Sequence, residues 1–399
     1  MKFFKSTRIY TEDGIVDGFI GVKDGKVASI VCGTIDQPFE DFGDQRIIPG
    51  VIDTHNHGAA GYSFNEATTK EEVVACLLGE ASAGVTGIFP TVNQVEQFPL
   101  LADVADSEVA GAKILGIHSE GPWGARVGEK GDPKNTYYKP VDLDYAKRMV
   151  KDARGWLKLV AIAPEVPLAL DAIRLLGSLG VTTSAYHTNA NFAEANIGID
   201  NGISVATHLG NVMTGLHHRD VGTMGACIIR DEVTCELICD GLHVSLPMVQ
   251  LVLRMKDHDK IMMVSDNGSF LGAPVGHYQG TASNANNDRR TITVTPDGFV
   301  VSESGRLSGS SKPVVYGIKN LVEVLGMKLE DVIKMSSLIP AKKYNLEGRG
   351  VIGLDKFADF VVLDDDYNVK ATFVEGRKVF ELGVTEVKIN PEFMLSKLD

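Results

Sequence analysis

Apolar and polar positions follow two rhythms along the chain. Over residues 1–46, short apolar runs alternate with Gly and Asp-Gly turns, as in Gly18-Phe19-Ile20-Gly21-Val22, Asp24-Gly25 and Val27-Ala28-Ser29-Ile30-Val31. That is the pattern of small antiparallel hairpins. Residues 351–399 repeat it, with apolar runs at 358–363, 371–374 and 377–380. Neither end is long enough for a comfortable core of its own. The two ends are therefore expected to pair into one small β-sandwich domain, 1–46 with 351–399.

Between them the rhythm changes to strand, loop, helix. Strand-like segments fall at 47–52, 85–91, 113–117, 157–163, 181–185, 203–207, 234–238 and 260–265, and helical spacing marks 70–83, 143–153, 168–179 and 246–256. Such alternation predicts a parallel sheet, and eight repeats predict a closed (β/α)8 barrel of the TIM type over 47–350. An open doubly wound sheet is disfavoured because no Gly-x-Gly-x-x-Gly follows the first strand. The overall class is α/β. Residues 267–311, rich in Asn, Gly and Ser, break the rhythm with a hairpin-like 291–302. An insertion after the last strand lies on the catalytic face of a barrel, as a lid or as a plain surface excursion.

Composition narrows the partners. Of 399 residues, 44% are hydrophobic and 23% charged, an ordinary globular balance, and the net charge is −13. That acidity argues against nucleic acid or an anionic membrane surface. The N-terminal stretch Met1-Lys2-Phe3-Phe4-Lys5 lacks a signal peptide's apolar core, and no apolar run reaches the ~20 residues that cross a bilayer. Five cysteines, an odd number, read as reduced thiols, with Cys235-x-x-x-Cys239 as a buried pair rather than a metal or redox motif. A cytoplasmic location is expected.

The chemistry collects at strand ends. His55 and His57 follow the first strand, and residues two apart in extended chain share a side. Alone, His-x-His is as readily a pair of ordinary polar residues. Five further strands, however, end in or lead into His118-Ser119-Glu120, Tyr186-His187, Thr207-His208, Asp240-Gly241-Leu242-His243 and Ser265-Asp266. In a parallel barrel these ends converge on one face. Imidazoles, a Glu and an Asp gathered there suit a borderline divalent ion such as Zn²⁺, Fe²⁺ or Mn²⁺. Any one of these residues is as readily a hydrogen-bonded strand end; the corresponding placement of all of them favours the ion.

These stretches resemble the N-acetylglucosamine-6-phosphate deacetylases of the amidohydrolase superfamily. The matching motifs are Pro49-Gly50-Val51-Ile52-Asp53-Thr54-His55-Asn56-His57-Gly58, His118-Ser119-Glu120-Gly121-Pro122-Trp123, Ala163-Pro164-Glu165, Thr207-His208-Leu209-Gly210-Asn211-Val212-Met213, His217-His218-Arg219, Asp240-Gly241-Leu242-His243, Ser265-Asp266 and Leu307-Ser308-Gly309-Ser310. The resemblance covers nearly the whole chain. It implies that Glu120, His187 and His208 hold a main metal ion, Zn²⁺ foremost, and that His55 and His57 complete a second site, with one or two ions per subunit. It implies that Asp266 is the general acid/base in hydrolysing the N-acetyl group of an N-acetylhexosamine 6-phosphate, foremost N-acetylglucosamine 6-phosphate. His243, Arg219, His218, Ser310 and the backbone of Asn211 and Val212 would contact the sugar and its phosphate, the Arg reaching across a homodimer.

The chain departs from that pattern around the substrate. Gly210 stands where an aromatic is usual, the loop after Trp123 lacks a substrate-touching His, Asn267-Gly268-Ser269 follows Asp266, and Asp220-Val221 replaces Glu-Pro. Arg126 and Lys130 are either substitute phosphate donors or solvated loop charges. The galactosamine epimer, another amide, or more remotely a non-enzymatic barrel relative are the alternatives these departures leave open.

Overall fold

A computed structural model describes the chain except for residues 126–137, 280–290, 304, 306, 308 and 399. Arg126 and Lys130, and with them any role as phosphate donors, lie outside the described residues.

The eight parallel strands are present and form a barrel. They are β1 (Val51–Asn56), β2 (Val85–Val92), β3 (Ile117–Trp123), β4 (Leu157–Ile162), β5 (Thr182–Ala185), β6 (Ile203–Ala206), β7 (Thr234–Ile238) and β8 (Ile261–Val264). Each pairs in parallel with the next, from β1·β2 round to β7·β8. The ring closes where Asp266 N–H donates to His55 O at 3.0 Å and His57 N–H to Asn267 O at 2.7 Å. Strands buried on both faces read as unbroken apolar runs, which is why most were visible in the sequence. The helices α1 (Lys70–Ser82), α2 (Phe98–Ala105), α3 (Leu143–Asp152), α4 (Ala169–Ser178), α5 (Phe192–Asp200), α6 (Gly222–Ile229), α7 (Leu246–Met255) and α8 (Val314–Lys319) each follow one strand. Thr69 and Glu72 cap α1 reciprocally, satisfying two of its free N–H groups.

Two strand assignments shift. The segment 47–52 is not one strand: Arg46–Pro49 belongs to the small sheet and Val51–Asn56 to the barrel. The break is at Gly50, whose N–H donates to Asp359 O and where a Cβ would stand 2.1 Å from Thr86 Oγ1. Both flanking segments are apolar because both are buried, so hydrophobicity alone did not mark the break. The third strand is Ile117–Trp123 rather than 113–117, with Lys113–Ile114 a short lead-in beside β2. Its polar His118-Ser119-Glu120 and its Gly-Pro step read as a loop, although the tertiary pairing with β4 makes them strand. His55 and His118-Ser119-Glu120 thus lie within strands, not beyond them.

The chain ends form one eight-stranded, mainly antiparallel sheet, as expected of the small β-domain. Its order is Arg377–Glu381, Val369–Val374, Phe360–Leu363, Arg46–Pro49, Lys2–Thr11, Gly14–Lys23, Lys26–Cys32, with Phe39–Asp41 alongside Lys2–Thr11. The seam between the ends is the pairing of Phe360 with Pro49 through Leu363 with Arg46. Phe4, Phe360 and Phe373 pack at its centre with ring centroids 4.3–5.3 Å apart, each such pair adding about 0.5–1.5 kcal/mol beyond the area it buries.

The insertion is a three-stranded sheet, Gly276–Gln279, Thr291–Val294 and Val300–Ser302. The hairpin expected at 291–302 is there. The last residues leave the small sheet, against the expectation for 351–399. A short helix, Pro391–Leu395, packs Phe393 on Tyr278 (5.0 Å) and on Phe270 (5.1 Å). The insertion is thereby fixed beside the barrel mouth, where Ala60 and Gly61 N–H groups donate to Leu271 and Ser269 carbonyls.

Candidate metal centre and active site

At the C-terminal mouth of the barrel, β1 directs His55 and His57 to one side, their Nε2 atoms 3.3 Å apart. Glu120, on β3, faces them with both oxygens: Oε2 is 3.3 Å from His57 Nε2, and Oε1 is 3.3 Å from His208 Nε2 and 3.7 Å from those of His187 and His55. Asp266, just past β8, sets Oδ1 3.2 Å from His57 Nε2 and 3.4 Å from His55 Nε2. All five expected metal ligands and the expected acid/base residue are therefore in one cluster. His187, His208 and Asp266 have φ of 34°, 33° and 53°. Left-handed backbone at such residues costs about 1–3 kcal/mol each, and it turns each side chain off its strand into the mouth.

The electrostatics are those of a site built for a cation. Burial opposes charge on His57, but its hydrogen bonds to Asp266 and Glu120 prevail and push its pKa up to about 10. Burial alone would raise Glu120, yet its bonds to His208 and His57 hold it well below the usual carboxylate range; charge on His55, with the bond to His57, does the same for Asp266. Burial lowers His187 to about 3 despite Glu120 nearby, keeping its ring neutral. Three groups have all their ligand atoms within 4.8 Å of one another: Glu120, His187, His208; His55, His57, Asp266; and, behind His55, the fully buried His55, His118, Glu236. Mixed N/O donors of this kind could hold one or two divalent ions.

The remaining expected residues are distributed around this cluster. His243 Nδ1 donates to Asp240 Oδ2 at 2.6 Å, and Asp240 Oδ1 accepts the backbone N–H groups of Leu242 and His243. Burial disfavours charge on that imidazole, but the Asp240 partner raises its pKa overall. Ser310 is buried and ties down the loop that carries Asp266, its N–H donating to Asp266 O at 2.9 Å. Asn211 folds back on His208, its N–H and side-chain NH₂ both donating to His208 O. Val212, at φ 48°, is 38% exposed, and its carbonyl accepts Thr188 N–H. His218 and Arg219 are not brought to the cluster. They lie on an exposed loop lining an open groove of about 500 Å³ with Phe192 and His217. The neighbouring Asp220 accepts the Phe192 and Gly222 N–H groups.

Three residues that matter were not singled out. Tyr138 OH sits 2.7 Å from His187 Nδ1. Asp53, within β1, is buried and holds Ser265 and Asn56, and burial raises its pKa to about 6. Glu236, on β7, is buried beneath His55. Only Glu236 carried a signal: a lone acid within the apolar run Thr234-Cys235-Glu236-Leu237-Ile238. The thiols behaved as expected: burial pushes Cys235 up to about 12, and Cys76, Cys227, Cys235 and Cys239 are free and buried.

The comparison with known proteins fits this geometry. Residues 46–379 match the amidohydrolase family. The chain belongs to the amidohydrolase family. An N-acetylglucosamine-6-phosphate deacetylase of Vibrio furnissii is 30% identical over 85% of this chain and 84% of its own length. An N-acetylgalactosamine-6-phosphate deacetylase of Escherichia coli O157:H7 is 28% identical over 94% and 98%. Among solved amidohydrolase structures, a mutant N-acetyl-D-glucosamine-6-phosphate deacetylase of Mycobacterium smegmatis, in complex with N-acetyl-D-glucosamine-6-phosphate, superposes with a TM-score of 0.84. It shares 25% identity and covers 95% of this chain and 99% of its own. The motif resemblance to the deacetylase branch of the amidohydrolases is borne out. No helix among the described residues is long and apolar enough to cross a membrane.

Proposed function

We propose that this chain hydrolyses the N-acetyl group of an N-acetylhexosamine 6-phosphate, foremost N-acetylglucosamine 6-phosphate, giving acetate and the amino-sugar phosphate. The observation that carries the reading is the Glu120 carboxylate facing four imidazoles, with Asp266 beside two of them. Glu120, His187 and His208 would hold one ion, and His55 and His57 a second, Zn²⁺ foremost. When bound, such an ion lowers the pKa of water toward ~7 and polarises a carbonyl oxygen.

The chain's own residues supply the rest. Asp266 takes a proton from the attacking water at Oδ1 and returns it to the departing nitrogen, which leaves poorly unless protonated. One C–N bond breaks, one C–O bond forms, and the water's protons end on the amine. Asp240 fixes His243 for a hydrogen bond to the sugar, and the backbone of Asn211 and Val212, with Ser310, would line the approach. Arg219 is suited to a phosphate because its planar fork donates two bonds at once. Its exposed loop supports a role across a homodimer, where it would complete the partner's site.

A second reading, the galactosamine epimer, is favoured by the close match to a relative of that name and by Gly210, which removes a side chain beside the site. The test is acetate release from both phosphosugars and both unphosphorylated sugars by metal-reconstituted protein. Turnover of N-acetylglucosamine 6-phosphate alone is expected. Turnover of the epimer alone replaces the first reading with the second, and turnover of neither by protein with bound metal overturns both.

A further inference from the structure

The outward nitrogens of the four clustered imidazoles are treated unequally. His57 Nδ1 is 3.0 Å from Thr91 O and His187 Nδ1 is 2.7 Å from Tyr138 OH, whereas His208 Nδ1 is buried with no hydrogen-bond partner among the described residues. His55 Nδ1 faces a carboxylate: Glu236 Oε2 at 3.4 Å. Glu236 has no exposed surface and comes from the middle of β7. Its other oxygen accepts Thr54 Oγ1–H at 2.8 Å. Among the described residues, no Lys or Arg forms an ion pair with it; its one ion-pair partner is His55.

A carboxylate set into a barrel core without a cation is costly unless it is hydrogen-bonded and its charge is answered nearby. Among the described residues its ion-pair partner is His55, and through that ring the cluster at the mouth; a ring nitrogen of His118 also lies within 4.8 Å. A carboxylate accepting Nδ1–H also fixes the tautomer, leaving the Nε2 lone pair to face His57, Glu120 and Asp266, and it makes that nitrogen a stronger donor. His118 packs edge-on against the same ring with centroids 4.7 Å apart. The ring of His55 is held on two sides before any ion arrives.

The geometry points to Glu236 as the positioning residue for a second ion at the His55–His57 pair, so that loading of that site depends on a carboxylate on the far side of His55. The inference rests on the metal-binding part of the function proposed above and not on its substrate. Glu236 touches neither ion nor sugar in this scheme; it acts through His55.

The experiment titrates Zn²⁺ into chelator-stripped full-length protein and counts ions and affinities per chain. It does so for the unaltered chain, Glu236→Leu and Glu236→Gln, with ¹⁵N NMR of the imidazoles reporting the tautomer of His55. The unaltered chain should take two ions. Glu236→Leu should weaken one of them 10–100-fold, the range seen when an outer partner of a ligand is lost, while the affinity at Glu120, His187 and His208 holds. Glu236→Gln, which keeps the shape and an acceptor oxygen, should lose less and retain the Nδ1–H tautomer. If the Leu variant loses both ions or does not fold, the Gln variant decides: a selective loss at one site supports the assignment. Unchanged ion number and affinity in the folded variants overturns it, as does an unaltered chain that takes up a single ion indifferent to Glu236. Two ions sensitive to Glu236, with no phosphosugar turned over, would sink the proposed function and leave this assignment standing.

Discussion

Asp266 Oδ1 stands 3.2 Å from His57 Nε2, on the backbone hydrogen bond that closes the barrel between β8 and β1. The group proposed to move protons thus touches one proposed metal ligand through its carboxylate, while its backbone N–H, donating to the carbonyl of another, His55, closes the barrel. Asp266→Asn keeps the shape but removes the base. It should lower kcat by roughly 10²–10⁴-fold, the usual worth of a positioned acid/base. Metal analysis should still find the ion at Glu120, His187 and His208; retained turnover would remove Asp266 from the mechanism.

Arg219 should matter for binding and not for chemistry. Arg219→Ala is expected to raise KM for the phosphorylated sugar at least tenfold and leave the unphosphorylated sugar nearly unaffected. Should both substrates suffer alike, the phosphate role is wrong. Co-expression of Arg219→Ala with Asp266→Asn tests the dimer. If the partner subunit's Arg219 completes each site, random pairing restores about one quarter of normal activity; no recovery places the Arg in its own subunit's site.

Removing the ion should expose the repulsion it balances. Stripping the protein with a chelator should abolish hydrolysis and lower Tm. Returning Zn²⁺ should restore both, with Tm rising as free metal increases, because an ion bound only by the folded state stabilises it by mass action. A Tm indifferent to metal would contradict a site that draws Glu120, Asp266 and four imidazoles together.

Gly50 separates the two sheets, and a methyl group there meets Thr86 Oγ1 at 2.1 Å. Gly50→Ala should cost about 1–3 kcal/mol, the range for overpacking a well-filled core, read from urea denaturation. Pairing it with Thr86→Ser, which removes the Cγ2 methyl that would stand 2.5 Å from the new Cβ, should recover part of that loss. Full stability in the single variant would mean the sheets part more easily than their packing indicates.

How much was legible in the sequence follows from what each residue has to satisfy. The barrel was readable because strands buried on both faces are apolar throughout, and His55 and His57 because a two-residue period puts them on one side. The same continuity hid Gly50, where one apolar run serves two sheets. Ile117–Trp123 escaped because His118, Ser119, Glu120 and Gly121 are poor strand formers held in place by neighbouring strands. Glu236 could have been flagged as an acid inside an apolar strand. Tyr138 could not, since nothing in spacing ties it to His187, 49 residues away. Nor could the packing of Phe393 on Tyr278, which joins a chain end to an insertion more than a hundred residues earlier.

The seam between Arg46–Pro49 and Phe360–Leu363 has a consequence in time. On a ribosome adding about 5–20 residues per second, the segment leading into the first His pair waits on the order of tens of seconds for the strand that will cover it. Until then Arg46–Pro49 is an open sheet edge, able to recruit any extended chain nearby. A nascent chain halted before residue 360 should therefore be the form of this protein that most needs a chaperone, whatever becomes of its barrel.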